Sequence, residues 1–121
     1  MNQLKISGFI HREPKIEFKK TGLAVCNFTL TLKDRHTGKY NFFDVACFRD
    51  VAEEVGDMES GTLVMVEGSL VQDRWQYNGK NYSKIKILAW KVKIMHNEPR
   101  EKKEDYGESD SYEEESGEGF V

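Results

Sequence analysis

The chain has 121 residues, 38% hydrophobic, 12% aromatic and 32% charged, with two prolines and two cysteines, which suits one small domain and is too short for a multidomain enzyme. No apolar run approaches the roughly 18 to 20 residues of a bilayer span, and Met1 to Lys5 lacks the apolar stretch of a signal peptide, so a soluble, cytoplasmic protein with no membrane contact is expected. The formal net charge of -3 is uneven: residues 1–97 carry 15 Lys/Arg against 11 Asp/Glu, net +4, and residues 98–121 carry 3 against 10, net -7.

From residue 2 to residue 95 the dominant hydrophobic period is two, the mark of half-buried strands. A first strand over 2–12 sets Leu4, Ile6, Gly8 and Ile10 on one face, with Lys5, Ser7, Phe9 and His11 on the other. It is expected to stop before Glu13-Pro14, because proline supplies no ladder donor. A second strand over 23–33 turns Ala24, Cys26, Phe28, Leu30 and Leu32 toward a core. The polar stretch 34–39 reads as a turn into a third strand over 40–49.

That third strand is unusual. Phe43, Val45 and Cys47 form a core set, yet the opposite face holds Tyr40, Phe42 and Phe48, with Asp44 and Ala46 between them. A strand with one wet face has no reason to place rings there unless something covers them. Either the sheet is buried on both sides, against itself or a second subunit, or the rings form a platform for flat ligands.

Over 50–58 the period changes: Val51, Val55 and Met58 recur at helical spacing, Asp50 and Glu53 read as a capping box, and Gly61 follows the end. Gly56 weakens this short helix. A fourth strand over 62–72 contains the apolar run Leu63 to Val66. Asn78-Gly79 between alternating segments is a strong hairpin signal and leads into a fifth strand over 80–94.

A two-residue turn there sets Trp75 opposite Tyr82, Asp73 opposite Lys84 and Leu70 opposite Ile87. Leu70, Ile85, Ile87 and Ala89 then share one face, while Trp75, Tyr77, Lys80, Tyr82, Lys84 and Lys86 share the other. Cross-strand packing alone accounts for the Trp75–Tyr82 pair at roughly 0.2 to 1 kcal/mol. The interleaved lysines favour a second reading, in which rings and cations together receive a nucleic-acid strand.

Three strands, a short helix and two more strands is the order of an all-β, five-stranded OB-fold barrel, expected to occupy 1–97. Residues 98–121 have the composition of a disordered acidic tail: from Glu104 onward there are eight acidic residues and no basic one, too little apolar surface to offset chain entropy. Cys26 and Cys47 lie outside any C-x-x-C spacing and read as buried thiols.

An enzyme is not expected. His11, His36 and His96 lie in unrelated segments, no G-x-S-x-G or phosphate-cradling glycine loop is present, and neither cysteine has a paired histidine. No catalytic residue, metal or cofactor is assigned.

The order and spacing of several stretches resemble the bacterial and phage-type single-stranded DNA-binding proteins. They are Gly8 with Glu13-Pro14, Thr21 to Leu30, Phe42 to Phe48, Ala52-Glu53, Gly61 to Leu70, and Trp75. The resemblance implies an OB-fold that assembles as a homotetramer and holds single-stranded DNA without sequence preference in replication, recombination and repair, in the cytoplasm and at the nucleoid. It implies stacking of bases on Phe42, Phe48 and Trp75. The aromatic expected in the loop after the second strand has no counterpart between Lys33 and Lys39, and Tyr40 is the candidate substitute. Phosphate contacts are expected from Lys33, Arg49, Arg74, Lys80, Lys84 and Lys86. The family's acidic tail ends in an apolar tip that docks onto repair and replication proteins; here Phe120 and Val121 take that role, without the usual Pro-Phe ending. The competing reading is an OB-fold replisome or primosome adaptor that binds mainly proteins and DNA only weakly.

Overall fold

In the computed structural model, residues 1–95 are described; the tail over 98–121, with Phe120 and Val121, and the last residues of the domain assigned to 1–97 lie outside them. The elements run β1 (Leu4–Phe18), β2 (Ala24–Lys33), β3 (Tyr40–Phe48), α1 (Arg49–Gly56), β4 (Leu63–Tyr77) and β5 (Lys80–Ile94). The strands close into a barrel in the order β1-β2-β3-β5-β4. All neighbours are antiparallel except β3 and β5, which pair in parallel at Val45↔Ile87 and Ala46↔Leu88. This is the five-stranded barrel with one helix between β3 and β4 that the pattern predicts.

The inward residues of the alternating runs make the core: Ile10, Cys26, Phe28, Leu30, Val45, Cys47, Val64, Val66, Ile87 and Val92 are buried, and Ala52 and Val55 from α1 join them. Cys26 lies opposite Cys47, and both thiols are free and buried. Burial, helped by the nearby Cys26, pushes the Cys47 thiol up to about 12, because a thiolate there would lose its hydration.

Four expectations need correction. The first strand does not end at Pro14. β1 continues to Phe18, with its register against β2 slipping between His11 and Lys15. The irregularity, in which Arg12 takes a left-handed φ of 68°, carries the proline where no ladder donor is required. Second, Asp50 does not cap α1: the N-cap is Phe48, in an extended conformation with no side-chain cap bond. The helix leaves β3 without a linker, so Asp50 falls in the first turn, where its charge suits the helix dipole. Third, Phe43 is not core; it is 39% exposed. Fourth, Leu70 and Ile85 are 50% and 64% exposed rather than buried beside Ile87. They belong to a stretch of the β4–β5 hairpin that outruns the barrel, so no facing strand covers them.

In the β4–β5 hairpin, geometry calls for glycine at two positions. At Gly68, where the β4–β5 register shifts, a Cβ would come within 2.2 Å of the Leu88 carbonyl oxygen. Gly79 at the hairpin tip has φ +76° beside Asn78 at +52°, the two positive values of a type I′ turn. At the other connection, Asp34 accepts hydrogen bonds from the His36 amide (2.9 Å) and the Thr37 hydroxyl (3.2 Å), so residues 34–39 are the expected polar turn.

Candidate nucleic-acid interface

Register places the outward rows of β1, β2 and β3 side by side. Phe9 is paired with Thr31, and Thr31 with Phe42; His11 is paired with Thr29, and Thr29 with Asp44. Because paired residues share a sheet face, Phe9, His11, Phe42 and Asp44 lie on one surface. The edge of the His11 ring meets Phe42 with centroids 5.1 Å apart and planes at 65°.

The parallel contact of Ala46 with Leu88 carries the same surface onto β5. There the alternation presents Lys86 and Lys84, and across β4 Asp73 lies opposite Lys84 and Trp75 opposite Tyr82. The Trp75 and Tyr82 rings stack at 5.8 Å with planes 19° apart. Both remain exposed, as do Tyr40, Phe42 and Phe48; Phe42 is 55% exposed and Trp75 47%.

Between the two aromatic groups runs a cleft of about 420 Å³ lined by His11, Arg12, Lys15, Thr29, Asp44, Asp73, Lys84 and Lys86, among others. Lys84 is in direct ion-pair contact with Asp44, and Lys86 Nζ lies 3.0 Å from an oxygen of Asp73. Solvated lysines and flat rings on one concave surface can hold a polyanion whose bases are unpaired.

The assigned cations do not all gather here. Lys84 and Lys86 line the cleft. The Lys33 ammonium sits 5.8 Å from the centre of the Tyr40 ring at the end of β2 and β3. Lys80 is at the hairpin tip, next to the turn. Arg74 alternates onto the opposite face of the hairpin, where its guanidinium donates to Gln72 at 2.7 Å. Arg49 opens α1, one residue after Phe48, with a left-handed φ of 57°.

Residues 1–95 match the single-strand binding protein family. The chain belongs to that family. A single-stranded DNA-binding protein of Aquifex aeolicus is 34% identical over 108 residues, covering 83% of this chain and 73% of its own length. One from Treponema pallidum is 28% identical over 102 residues, covering 78% of this chain and 58% of its own. The barrel is similar to the crystal structure of the single-stranded DNA-binding protein from Thermus aquaticus, with a TM-score of 0.68 at 23% identity, over 82% of this chain and 42% of that one.

For this family member, the sequence pattern omitted several residues of the cleft. Arg12 and Lys15 enter it only because β1 runs on past Pro14. His11 joins through its contact with Phe42. Outside the cleft, Trp90 is a further exposed ring, at 49%, on β5 at the register shift opposite Glu67 and Gly68. A tryptophan next to lysine, where the inward run Ile87-Ala89 breaks, is the signal that marks it.

Proposed function

We propose that this chain binds and protects single-stranded DNA without regard to base sequence, by stacking bases on exposed rings and contacting phosphates with lysine and arginine. The observation that carries the reading is the single outward surface on which Phe42 and the Trp75–Tyr82 pair flank a lysine-bearing cleft. Every base has a flat face, so stacking on Phe42, Phe48 and Trp75, with Tyr40 as a further platform, is insensitive to sequence and worth roughly 1 to 3 kcal/mol per base. Duplex DNA is excluded because its bases are already stacked and paired. The names of the relatives from Aquifex aeolicus and Treponema pallidum support the same ligand.

No group in this scheme is asked to break a bond. The roles follow from binding: Lys84 and Lys86 in the cleft, with Lys33, Lys80 and Arg49, attract the backbone, Arg74 meets only a strand that wraps onto the opposite face of the hairpin, and the rings hold the bases. We extend the proposal to service in replication, recombination and repair at the nucleoid, to a homotetramer, and to the acidic segment 98–121 as the arm whose Phe120 and Val121 recruit partner proteins.

Titration of the intrinsic fluorescence of Trp75 and Trp90 with a dT oligonucleotide tests the core of this reading. Strong quenching that weakens with added salt is expected; a flat titration overturns it. The ion-pairing of both cleft lysines favours a second reading, an OB-fold adaptor with weak DNA affinity. A flat titration, with the protein still bound to replication proteins, supports that one.

A further inference from the structure

Four of the charged residues that line the cleft pair off across three strands, and Arg12 and Lys15 line it beside them. Asp44 comes from β3, Lys84 and Lys86 from β5, and Asp73 from β4. Asp44 contacts Lys84, and Asp73 contacts Lys86 at 3.0 Å. All four side chains line the same cleft. Two of the four lysine and arginine side chains that line the cleft, Lys84 and Lys86, are therefore already paired with carboxylates of the chain itself.

Resting on the proposed single-stranded DNA binding, we infer that Asp44 and Asp73 are affinity-setting residues: they occupy Lys84 and Lys86 in the free protein and must be displaced by the DNA phosphates. The chemistry is a competition of two oxyanions for one ammonium. A carboxylate and a phosphodiester both accept from a lysine through charged oxygens, so the incoming phosphate gains little that the lysine did not already have. Both carboxylates are open to solvent, with 44% of the Asp44 and 47% of the Asp73 side chain exposed, while Lys84 is 50% and Lys86 25% exposed. Exposed pairs are weak, so displacement is easy and the carboxylates moderate binding rather than block it.

A second consequence concerns salt. The salt dependence of DNA binding arises from counterions released as phosphates are neutralised by protein cations. A lysine that must first give up an internal carboxylate offers less net charge to the strand, and the slope falls. The two pairs thus make the protein's hold on DNA both looser and less sensitive to ionic strength than its count of cleft lysines implies.

The test compares the full chain with its Asp44→Asn, Asp73→Asn and doubly substituted variants, each titrated with a dT oligonucleotide from low to moderate salt. Asparagine keeps the size of the side chain and removes its charge at an exposed position. Each substitution is expected to tighten binding at low salt by about 2- to 5-fold, the range that releasing a weak exposed pair allows. The double variant is expected to steepen the salt slope by about 1.4, which is roughly 0.7 for each lysine freed. The gain from Asp44→Asn is expected to vanish in a Lys84→Gln background, and that from Asp73→Asn in Lys86→Gln.

Affinity and slope unchanged in the doubly substituted protein overturn the inference. So does a gain that survives removal of the paired lysine, since it then reflects only the loss of a negative charge from the surface. If the unsubstituted chain fails to quench at all, the DNA-binding reading falls and this inference falls with it; the first two outcomes remove the inference alone.

Discussion

The β4–β5 hairpin is two structures in one. Up to Ser69, β4 is a barrel stave: Val64, Val66 and Gly68 are buried and alternate with half-covered neighbours. Beyond it the covering thins, with Ile87 opposite Leu70 still buried, and from Arg74 to Tyr77 every side chain is exposed. The stave half carries aliphatic residues inward and donates stability. The arm half carries Trp75, Tyr82, Lys84 and Lys86 on one face and leaves Leu70 and Ile85 open on the other. One continuous ladder therefore separates the task of folding from the task of presenting rings and charges, at the Gly68 bulge where the backbones of the two strands press together.

The sharpest way to break this division is to truncate one aliphatic residue in the barrel core and one on the arm. Leu30 is fully buried in the core, and Leu30→Ala is expected to cost about 2 to 5 kcal/mol of stability through lost burial and an unfilled cavity. Ile85→Ala on the arm is expected to change stability by less than about 0.5 kcal/mol, as for other open surface sites. Urea unfolding of both variants checks the pair; similar costs would mean that the arm is covered after all.

Alkaline pH should weaken the barrel core. The Cys47 thiol is pushed up to about 12 in the fold by burial, against about 8.5 in an unfolded chain. The folded state therefore keeps a proton that the unfolded state releases, and linkage makes stability fall as pH rises. The contribution is whole below the unfolded value and declines above it at up to about 1.4 kcal/mol per pH unit until the folded value is reached. Unfolding measured between about pH 8 and 11 should show this slope, and Cys47→Ala should flatten it relative to the unsubstituted chain.

For the arm and its facing sheet the prediction reverses: large effects on ligand, small ones on fold. Phe42→Ala and Trp75→Ala are each expected to weaken binding of a dT oligonucleotide by about 1 to 3 kcal/mol with little change in the urea midpoint. A variant that loses stability but not affinity would identify its ring as packing.

How much of this division is written in the sequence differs between the halves. The strands of both halves are legible because the period of two depends on local chemistry, and in the arm the pairing of Trp75 with Tyr82 follows from the Asn78-Gly79 turn alone. The exposure of Phe43, Leu70 and Ile85 was not legible. Those residues have core chemistry; the lengths of β4 and β5 leave Leu70 and Ile85 on a projecting stretch, and Phe43 lies on β3 before its short parallel pairing with β5 at Val45 and Ala46. The pairing of Asp44 with Lys84 was hidden for a related reason. It depends on the parallel contact of β3 with β5, a non-local neighbour that no turn specifies. Pro14 misled because a bulge, invisible in a hydrophobic pattern, removes the ladder position that the ring would have spoiled.

The smallest effect concerns the tip that directs the arm. Gly79 holds φ +76° with open space where a Cβ would go, so Gly79→Ala meets no steric clash with neighbours and bears only the cost of a left-handed conformation, about 1 to 2 kcal/mol. Because the tip lies far from the buried staves, that cost should appear chiefly as fraying of the arm. Amide hydrogen exchange is expected to rise at Arg74 to Ser83, around the hairpin turn, while protection at Val64 and Val66 stays unchanged. Equal loss of protection at both ends would show that arm and stave unfold as one cooperative unit and would dissolve the division between them.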